Sequence, residues 1–190
     1  MKNQLVLYPS SQISSTLHQS QVIQWLEDKQ IITAINAPIS ANVFLTGQQF
    51  MQRISFVGCS PVINLGDQSQ AEELGLPKLE IEVSVIYPKP RLLVGENTRA
   101  PKCPVCGVTM ENWRDHLLDG VNLKCTACNA QTPASGFQWA KQGAYTQTFL
   151  SINGIYPREA VPLDSFLTEL ASLYESPMKY CYLQNAVVLK

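Results

Sequence analysis

The segment from residue 103 to residue 128 carries two cysteine pairs and reads CPVCGVTMENWRDHLLDGVNLKCTAC. Two residues separate Cys103 from Cys106, and two separate Cys125 from Cys128. This spacing places two thiolates on one tight turn, so that both sulfur atoms can face the same ion. The 18 residues between the pairs match the interval of about 15 to 20 that is typical of four-cysteine zinc sites. The segment therefore predicts one tetrahedral metal site, with zinc as the cofactor.

The residue after each cysteine pair fits a left-handed turn, because Gly107 adopts that conformation freely and Asn129 tolerates it. Around these knuckles the segment resembles the zinc-ribbon family, whose knuckles commonly read Cys-Pro-x-Cys-Gly. The resemblance covers about residues 101–132 and extends at most to residue 145, so it identifies a module in a protein of otherwise unidentified family. Four thiolates close the coordination shell, which indicates a structural ion. Rubredoxins hold iron in a similar pair of knuckles, so the four-thiolate set leaves both metals open.

Composition indicates a folded protein of one domain, or of one domain with a small module. The chain has 190 residues, of which 45% are hydrophobic. The N-terminus has no signal-peptide core, and no apolar run approaches the roughly 20 residues that cross a bilayer, so we expect a cytoplasmic protein without a membrane partner. In a reducing compartment, paired cysteines indicate metal binding rather than disulfides. Cys59 and Cys181 are isolated thiols.

The net charge of −1 offers no attraction for nucleic acid across the whole protein. The distribution along the chain is uneven, however. Residues 89–146 carry an excess of three positive charges, and the remainder carries an excess of four negative charges. A weakly basic metal module on an acidic body keeps nucleic acid as a possible partner.

Hydrophobic patterning predicts an α+β fold. In residues 78–87, Leu79, Ile81 and Val83 alternate with polar neighbours and Val85 continues the series, which is typical of a half-buried strand. Apolar residues at helical spacing predict two helices, and short β-rich runs predict the remaining strands. The predicted elements are a strand at 4–8, a helix at 15–29, a strand at 31–35, a hairpin formed by 42–45 and 53–57 around Thr46-Gly47, and further strands at 78–87, 145–152 and 178–183 with a helix at 163–175.

This order predicts a two-layer mixed sheet with two helices and an inserted zinc ribbon. Residues 1–98 and 146–190 would form a discontinuous α+β domain. Residues 99–145 would form the inserted zinc-ribbon module.

Three predicted strands end in a similar way, at Tyr8-Pro9, Tyr87-Pro88 and Tyr156-Pro157. If these ends meet at one sheet edge, the tyrosines line a shared surface with three nearby cations, Lys89, Arg91 and Arg158. The alternative is that tyrosine favours strands and proline ends them.

The cysteine segment itself has candidate contact residues. Trp113, Phe137 and Trp139 can stack on bases or fill a partner's pocket, and Arg114 can contact phosphate together with Lys102 and Lys124. The alternative is that the aromatic residues cover the metal hairpins. The candidate binding surface from both arguments is Tyr87, Lys89, Arg91, Trp113, Arg114, Trp139, Tyr156 and Arg158.

Sequence motifs for catalysis are missing: the chain has no glycine-rich phosphate loop, Gly-x-Ser-x-Gly elbow or His-Glu-x-x-His pair. The opening strand and helix look like those of glutaredoxin-like proteins, but Ser10-Ser11-Gln12 stands where that family's CxxC would lie, and Cys59 is the only nearby thiol. Glu80 and Glu82 are expected on a solvated strand face, and His18 has no catalytic companion. His116 is expected to be a surface residue rather than a spare metal ligand, because four cysteines already fill the site.

We therefore expect no catalytic residue and a non-catalytic, zinc-binding module that interacts with another protein. A nucleic-acid-binding zinc-ribbon protein is the first alternative. An enzyme with a structural zinc ribbon is the second.

Overall fold

The computed structural model describes residues 2–33, 39–57, 78–118 and 122–189. It confirms an α+β fold with two helices and several sheets. No helix in these ranges is long and apolar enough to span a membrane. The elements in chain order are β1 Asn3–Pro9, α1 Gln19–Asp28, β2 Val43–Leu45, β3 Ile54–Phe56, β4 Glu80–Val83, β5 Arg91–Val94, β6 Leu117–Leu118, β7 Asn122–Lys124, β8 Gln131–Pro133, β9 Gly143–Thr146, β10 Leu150–Asn153, β11 Ala160–Pro162, α2 Asp164–Tyr174, β12 Met178–Gln184 and β13 Val187–Val188.

The largest sheet has five strands in the order β12-β1-β10-β4-β2. Leu5 on β1 lies opposite Ile152 on β10 and opposite Tyr182 on β12. β1 and β4 run in the same direction, but β10 lies between them and is antiparallel to both. Every described pair of neighbouring strands is antiparallel. The parallel strand pairs that a mixed sheet would contain do not occur among the described strands.

Both helices pack on one face of this sheet. On α2, Phe166, Leu170 and Tyr174 are buried at intervals of four residues, and on α1 Val22 and Leu26 are buried at the same interval. These side chains form one core with alternate residues of the strands, and each large apolar side chain buried there contributes about 1.5 to 3 kcal/mol. The principal core of the protein therefore lies between the two helices and the five-stranded sheet.

The helix α1 begins later than expected, at Gln19 rather than Ser15. The Leu17 N–H donates to the Ser14 carbonyl in a preceding turn, and the His18 N–H is accepted by Gln21 Oε1 at 2.7 Å. This side-chain contact satisfies a backbone donor at the point where the helix starts.

The opposite face of the five-stranded sheet is covered by a second sheet, β13-β5-β9. Val6, Phe149 and Cys181 from the first sheet share a buried cluster with Leu93 and Ala144 from the second. The alternation of strand side chains sends the neighbours of Leu93, namely Leu92 and Val94, to the far face of the second sheet. There they pack against the cysteine segment, by which we mean residues 100–139. The layers are therefore helices, five-stranded sheet, three-stranded sheet and cysteine segment.

The predicted hairpin of residues 42–45 and 53–57 is wrong. β2 pairs with β4, and β3 pairs with β11. Gly47 lies so close to the preceding chain that a Cβ atom there would be 2.3 Å from the Gln30 carbonyl oxygen. The chain then forms a 3-10 turn, in which Phe50 is buried. This turn separates β2 from β3. Of the predicted strand 31–35, Ile32 forms only an isolated bridge to Thr46, and residues 34–38 lie outside the described residues.

The predicted strand 145–152 is also wrong as a single element, because it divides into β9 and β10 in two different sheets. The Thr146 hydroxyl lies 2.8 Å from the Thr148 carbonyl oxygen and 3.1 Å from the Pro9 carbonyl oxygen, and its single proton is shared between these acceptors at the bend between the strands. The strand predicted at 78–87 is shorter than expected, since after Val83 the pattern changes. Ser84 is buried and accepts the Phe149 N–H, whereas Val85 is 47% exposed.

Some sequence features lie outside the described residues. These are the isolated thiol Cys59, in residues 58–77, and residues 119–121 between the two cysteine pairs.

Candidate metal centre

The four cysteine sulfur atoms lie within 4.8 Å of one another. The Sγ atoms of Cys103 and Cys128 are 3.9 Å apart, and those of Cys106 and Cys125 are 3.7 Å apart. A tetrahedral zinc ion with zinc–sulfur distances of about 2.3 Å requires sulfur atoms about 3.8 Å apart. The cluster therefore fits one tetrahedral metal ion held by four thiolates.

The two knuckles that position the sulfur atoms have the same backbone geometry. The Gly107 N–H donates to the Cys103 carbonyl at 2.9 Å, and the Asn129 N–H donates to the Cys125 carbonyl at 2.9 Å. Both turns end in the left-handed region, with φ of 73° at Gly107 and 58° at Asn129. The prediction of left-handed residues after both pairs is confirmed, and each turn holds its two thiols on one side.

The protein environment distributes charge unevenly over the thiols. The backbone N–H of Cys128, with that of Ala127, outweighs desolvation and lowers the pKa of the Cys125 thiol to about 6. The N–H of Val108 lowers the pKa of Cys106, but desolvation and hydrogen bonding with the neighbouring thiols outweigh it and raise that pKa to about 12. The pKa values thus favour a thiolate at Cys125 and a protonated thiol at Cys106. Because metal ligation requires thiolates, a divalent ion must displace the Cys106 proton when it binds.

The cluster lies at the boundary between the interior and solvent. Cys103 and Cys125 are buried, while Cys106 and Cys128 are exposed. The inner pair belongs to an apolar cluster with Met110. A metal ion here would join the outer surface of the knuckles to the interior of the cysteine segment.

The tryptophans of the cysteine segment are buried rather than presented at the surface. Trp113 is 2% exposed, and its ring meets that of Trp139 edge-on with centroids 5.0 Å apart. Phe137 lies beside Trp139, whose Nε1–H donates to the Ala134 carbonyl at 2.8 Å. These aromatic residues pack with the inner cysteines and with Leu92. Their placement matches the covering role, so Trp113 and Trp139 do not form the exposed surface considered for them.

Arg114 is engaged within the protein. Its Cζ lies 4.4 Å from the Trp113 ring centroid, and its Nη2 donates to the Gly95 carbonyl at 3.0 Å. Lys102 and Lys124 are exposed on the cysteine segment. The contacts of Arg114 thus join this segment to the end of β5.

The three Tyr-Pro strand ends do not meet at one edge. β1 and β4 run in the same direction, so Tyr8 and Tyr87 lie near the same end of these strands. Both tyrosines pack against the buried cluster of Val6, Leu93 and Cys181 between the two sheets. β10 runs the opposite way, so Tyr156 lies at the other edge, where it is exposed together with Arg158. The three strand ends therefore do not form one shared surface, because the central strand is antiparallel to its neighbours. Lys89 is exposed, and Arg91 is half-buried at the start of β5.

The remaining glutamate, histidine and cysteine candidates lie in surroundings that are typical of structural residues. Glu82 pairs with the Lys2 ammonium at 3.0 Å, and Glu80 is half-buried on the same strand. His116 ends a 3-10 turn and is not part of the sulfur cluster. Cys181 is buried, and desolvation raises the pKa of its thiol, which disfavours a reactive thiolate.

The structure reveals an exposed feature that the sequence interpretation did not single out. Val105 is 66% exposed and Val108 is 39% exposed, both on the first knuckle. The sequence carried a signal of this feature, since the first knuckle has valines at the positions where the second knuckle has Ala127 and Ala130. An apolar tip therefore lies directly beside the exposed Cys106.

No family model matches the chain, and no curated protein or solved structure is significantly similar to it. The assignment of a metal centre consequently rests on the donor set and its geometry. Those two observations agree with the spacing in the sequence.

Proposed function

We propose that Cys103, Cys106, Cys125 and Cys128 bind one structural zinc ion in a zinc ribbon. The ribbon spans about residues 99–145 and is inserted into the α+β body, and it presents its first knuckle to a protein partner. Zinc supplies a rigid cross-link between the two knuckles, and four thiolates leave no position open for a substrate. The matched backbone bonds at Gly107 and Asn129 support this structural role, since they orient the thiols from both sides.

The single observation that carries the interaction is the exposure of Val105 and Val108 beside the metal centre. The large aromatic residues of the ribbon are buried, yet these two valines face solvent on a turn tethered through Cys103 and Cys106. Exposed apolar side chains that are adjacent and rigidly held indicate a contact surface more strongly than scattered ones do. A partner with a complementary apolar pocket would bury both valines with little ordering cost, because the knuckle is already fixed.

Protein is favoured over nucleic acid by the surroundings of the candidate contact residues. Binding to single strands without sequence preference uses exposed aromatic rings for stacking and basic side chains for phosphate contacts. Trp113 and Trp139 are buried, and Arg114 is engaged with Trp113 and Gly95. The aromatic rings expected to stack on bases are thus used within the protein, while Lys102 and Lys124 remain exposed.

The test compares affinity-purified native complexes of the wild type with those of a Val105→Asp/Val108→Asp variant. The control is Met51→Asp, which places the same charge on a residue that is 41% exposed outside the ribbon. We expect the same partner protein with wild type and control, its specific loss with the double variant, and an equal zinc content in all three. Retention of the partner by the double variant would overturn the proposed surface. Salt-sensitive binding of the wild type to RNA or DNA at low ionic strength would favour nucleic acid instead.

A further inference from the structure

A second candidate site lies on the body, away from the cysteines. A cavity of about 510 Å³ opens beside the outer edge of β12 and is lined by Lys141, Arg158, Tyr180 and Tyr182, with Pro157 and Val161 among its apolar walls. This volume lies within the range of small-molecule sites, about 300 to 1,000 Å³. Cavities that combine apolar walls with a few convergent polar groups are the usual form of such sites.

The charge of this cavity has one sign. Lys141 and Arg158 both line it, and no Asp or Glu does so among the described residues. Among the residues that the structure describes, neither Lys141 nor Arg158 forms an ion pair with a carboxylate. The protein as a whole has a slight excess of acidic residues, so an all-cationic lining is a local property. Two cations without a carboxylate attract a small anion.

One of the cations, Lys141, is positioned by contacts with a tyrosine, and both cations line the cavity beside a tyrosine pair. Lys141 Nζ donates to the Tyr180 hydroxyl at 2.8 Å and lies 4.1 Å from the ring centroid. The Tyr180 and Tyr182 rings meet edge-on with centroids 5.9 Å apart, and the Tyr182 hydroxyl donates to the Ala160 carbonyl at 2.7 Å. Arg158 lies near enough to Tyr182 to oppose the increase of its pKa. Lys141 is thus held against the tyrosine pair, and Arg158 lines the same cavity.

The backbone beneath both cations is strained. Ala140 and Lys141 have φ of 48° and 59° at the centre of a turn closed by the Gln142 N–H and the Trp139 carbonyl at 2.8 Å. Two consecutive positive φ values define a turn that prefers Asn and Gly.

Arg158 has φ of 69° and follows Pro157 in a second tight turn, at the position where a type II turn prefers Gly. Eight described residues other than glycine have positive φ, and three of these, Ala140, Lys141 and Arg158, line this one cavity. Backbone strain of this kind is concentrated at ligand-binding sites. Glycine would relieve the strain, but it has no side chain with which to contact a ligand.

We infer that this cavity binds a small organic oxyanion. Its phosphate or carboxylate group lies between Lys141 and Arg158, and its apolar part lies against Tyr180, Pro157 and Val161. The Tyr180 hydroxyl, which accepts from Lys141, keeps its own proton to donate to the anion. The strained turns keep the two cations over the cavity in the absence of the ligand, which lowers the ordering cost of binding.

The probes are phenyl phosphate, benzoate and neutral benzyl alcohol, each titrated into the full chain and followed by protein-observed NMR. We expect saturable shifts of amides around the cavity with at least one anion. Benzyl alcohol should bind at least tenfold more weakly. The tighter of the two anions identifies phosphate or carboxylate as the recognised group. Failure of both anions to bind, or equal binding of the neutral alcohol, would overturn the inference.

The variant Arg158→Gly separates strain from recognition. It relieves the left-handed residue, so Tm should rise by about 2 to 4 °C, while removal of the guanidinium should weaken anion binding at least tenfold. Arg158→Lys should restore most of the affinity without the increase in Tm. The matched control is Glu175→Gly, another left-handed residue (φ 52°) at the end of α2, which should raise Tm and leave binding unchanged. Unchanged affinity of Arg158→Gly would contradict the inference.

Discussion

The guanidinium group of Arg114 lies over the indole ring of Trp113, with Cζ 4.4 Å from the ring centroid, and the same side chain donates a hydrogen bond to the Gly95 carbonyl at 3.0 Å. Gly95 follows directly after β5. One side chain therefore joins the buried aromatic cluster of the cysteine segment to the three-stranded sheet. Its contacts give Arg114 a role in attaching the segment to that sheet.

Replacement of Arg114 by Ala should reduce the free energy of unfolding by about 1 to 2 kcal/mol, since both the cation–π contact and the hydrogen bond are lost. Urea denaturation followed by tryptophan fluorescence would measure the change. Arg99→Ala, at an exposed arginine of the same region, should remain within about 0.5 kcal/mol of the wild type. Equal stability of the two variants would contradict the assigned contact.

Trp139 offers a test of the aromatic cover over the knuckles. Trp139→Phe keeps most of the ring packing but removes the indole donor to the Ala134 carbonyl, which still accepts the Phe137 N–H at 3.3 Å. The loss should cost about 0.5 to 1.5 kcal/mol. Trp139→Ala should cost more, about 3 to 5 kcal/mol, because it also creates a cavity. Unfolding free energies from urea titration provide the comparison. If both variants were as stable as the wild type, Trp139 would not support the segment.

How far the fold follows from the sequence depends on the range of the interactions. The metal cluster could be predicted because each knuckle is a local turn, and Gly107 and Asn129 mark both turns in the sequence. The helix α2 could be predicted for a similar reason, since Phe166, Leu170 and Tyr174 repeat at helical spacing. Local periodicity and turn preferences are sufficient for such elements.

Strand partners could not be predicted, because they depend on contacts between distant residues. The chain at residues 42–57 resembles a hairpin locally, but β3 finds its partner in β11, about a hundred residues later. The continuous pattern of residues 145–152 likewise conceals the bend at Thr146, which is supported by a hydrogen bond to Pro9. The cavity at Lys141 was missed for a different reason: no Asn or Gly in residues 139–142 marks the turn.

Stability should decline in alkaline solution. Desolvation by burial raises the pKa of the Cys181 thiol and the Tyr174 hydroxyl, and raises the pKa of Tyr182 to about 12. The folded state therefore keeps these protons more firmly than the unfolded state does. The resulting stability is fully present below the unfolded pKa values of about 9 and 10, and it is lost as the pH rises through and above them.

We expect the urea midpoint to be constant to about pH 8 and to fall from about pH 9. In Cys181→Ala, the thiol contribution is absent, so the decline should begin nearer pH 10. Circular dichroism during urea titration at several pH values would measure both curves. A midpoint unchanged from pH 8 to pH 11 would show that these groups are not protected by burial.

Removal of one metal ligand should affect the cysteine segment selectively. Cys103→Ser should release the ion and expose Trp113 and Trp139, because the metal holds the two knuckles together. The expected result is loss of bound metal with a red shift in tryptophan emission. Cys181→Ala, which alters a buried cysteine outside the cluster, should retain the metal and the wild-type emission. Retention of metal and emission by Cys103→Ser would argue against a four-thiolate site.

The central claim is that four cysteines hold one zinc ion, and X-ray absorption at the zinc edge of the purified protein tests it most directly. The sulfur separations of 3.7 and 3.9 Å predict a first shell of four sulfur atoms at about 2.3 Å from zinc. Absence of zinc, or a first shell containing nitrogen or oxygen atoms in place of sulfur, would contradict the account.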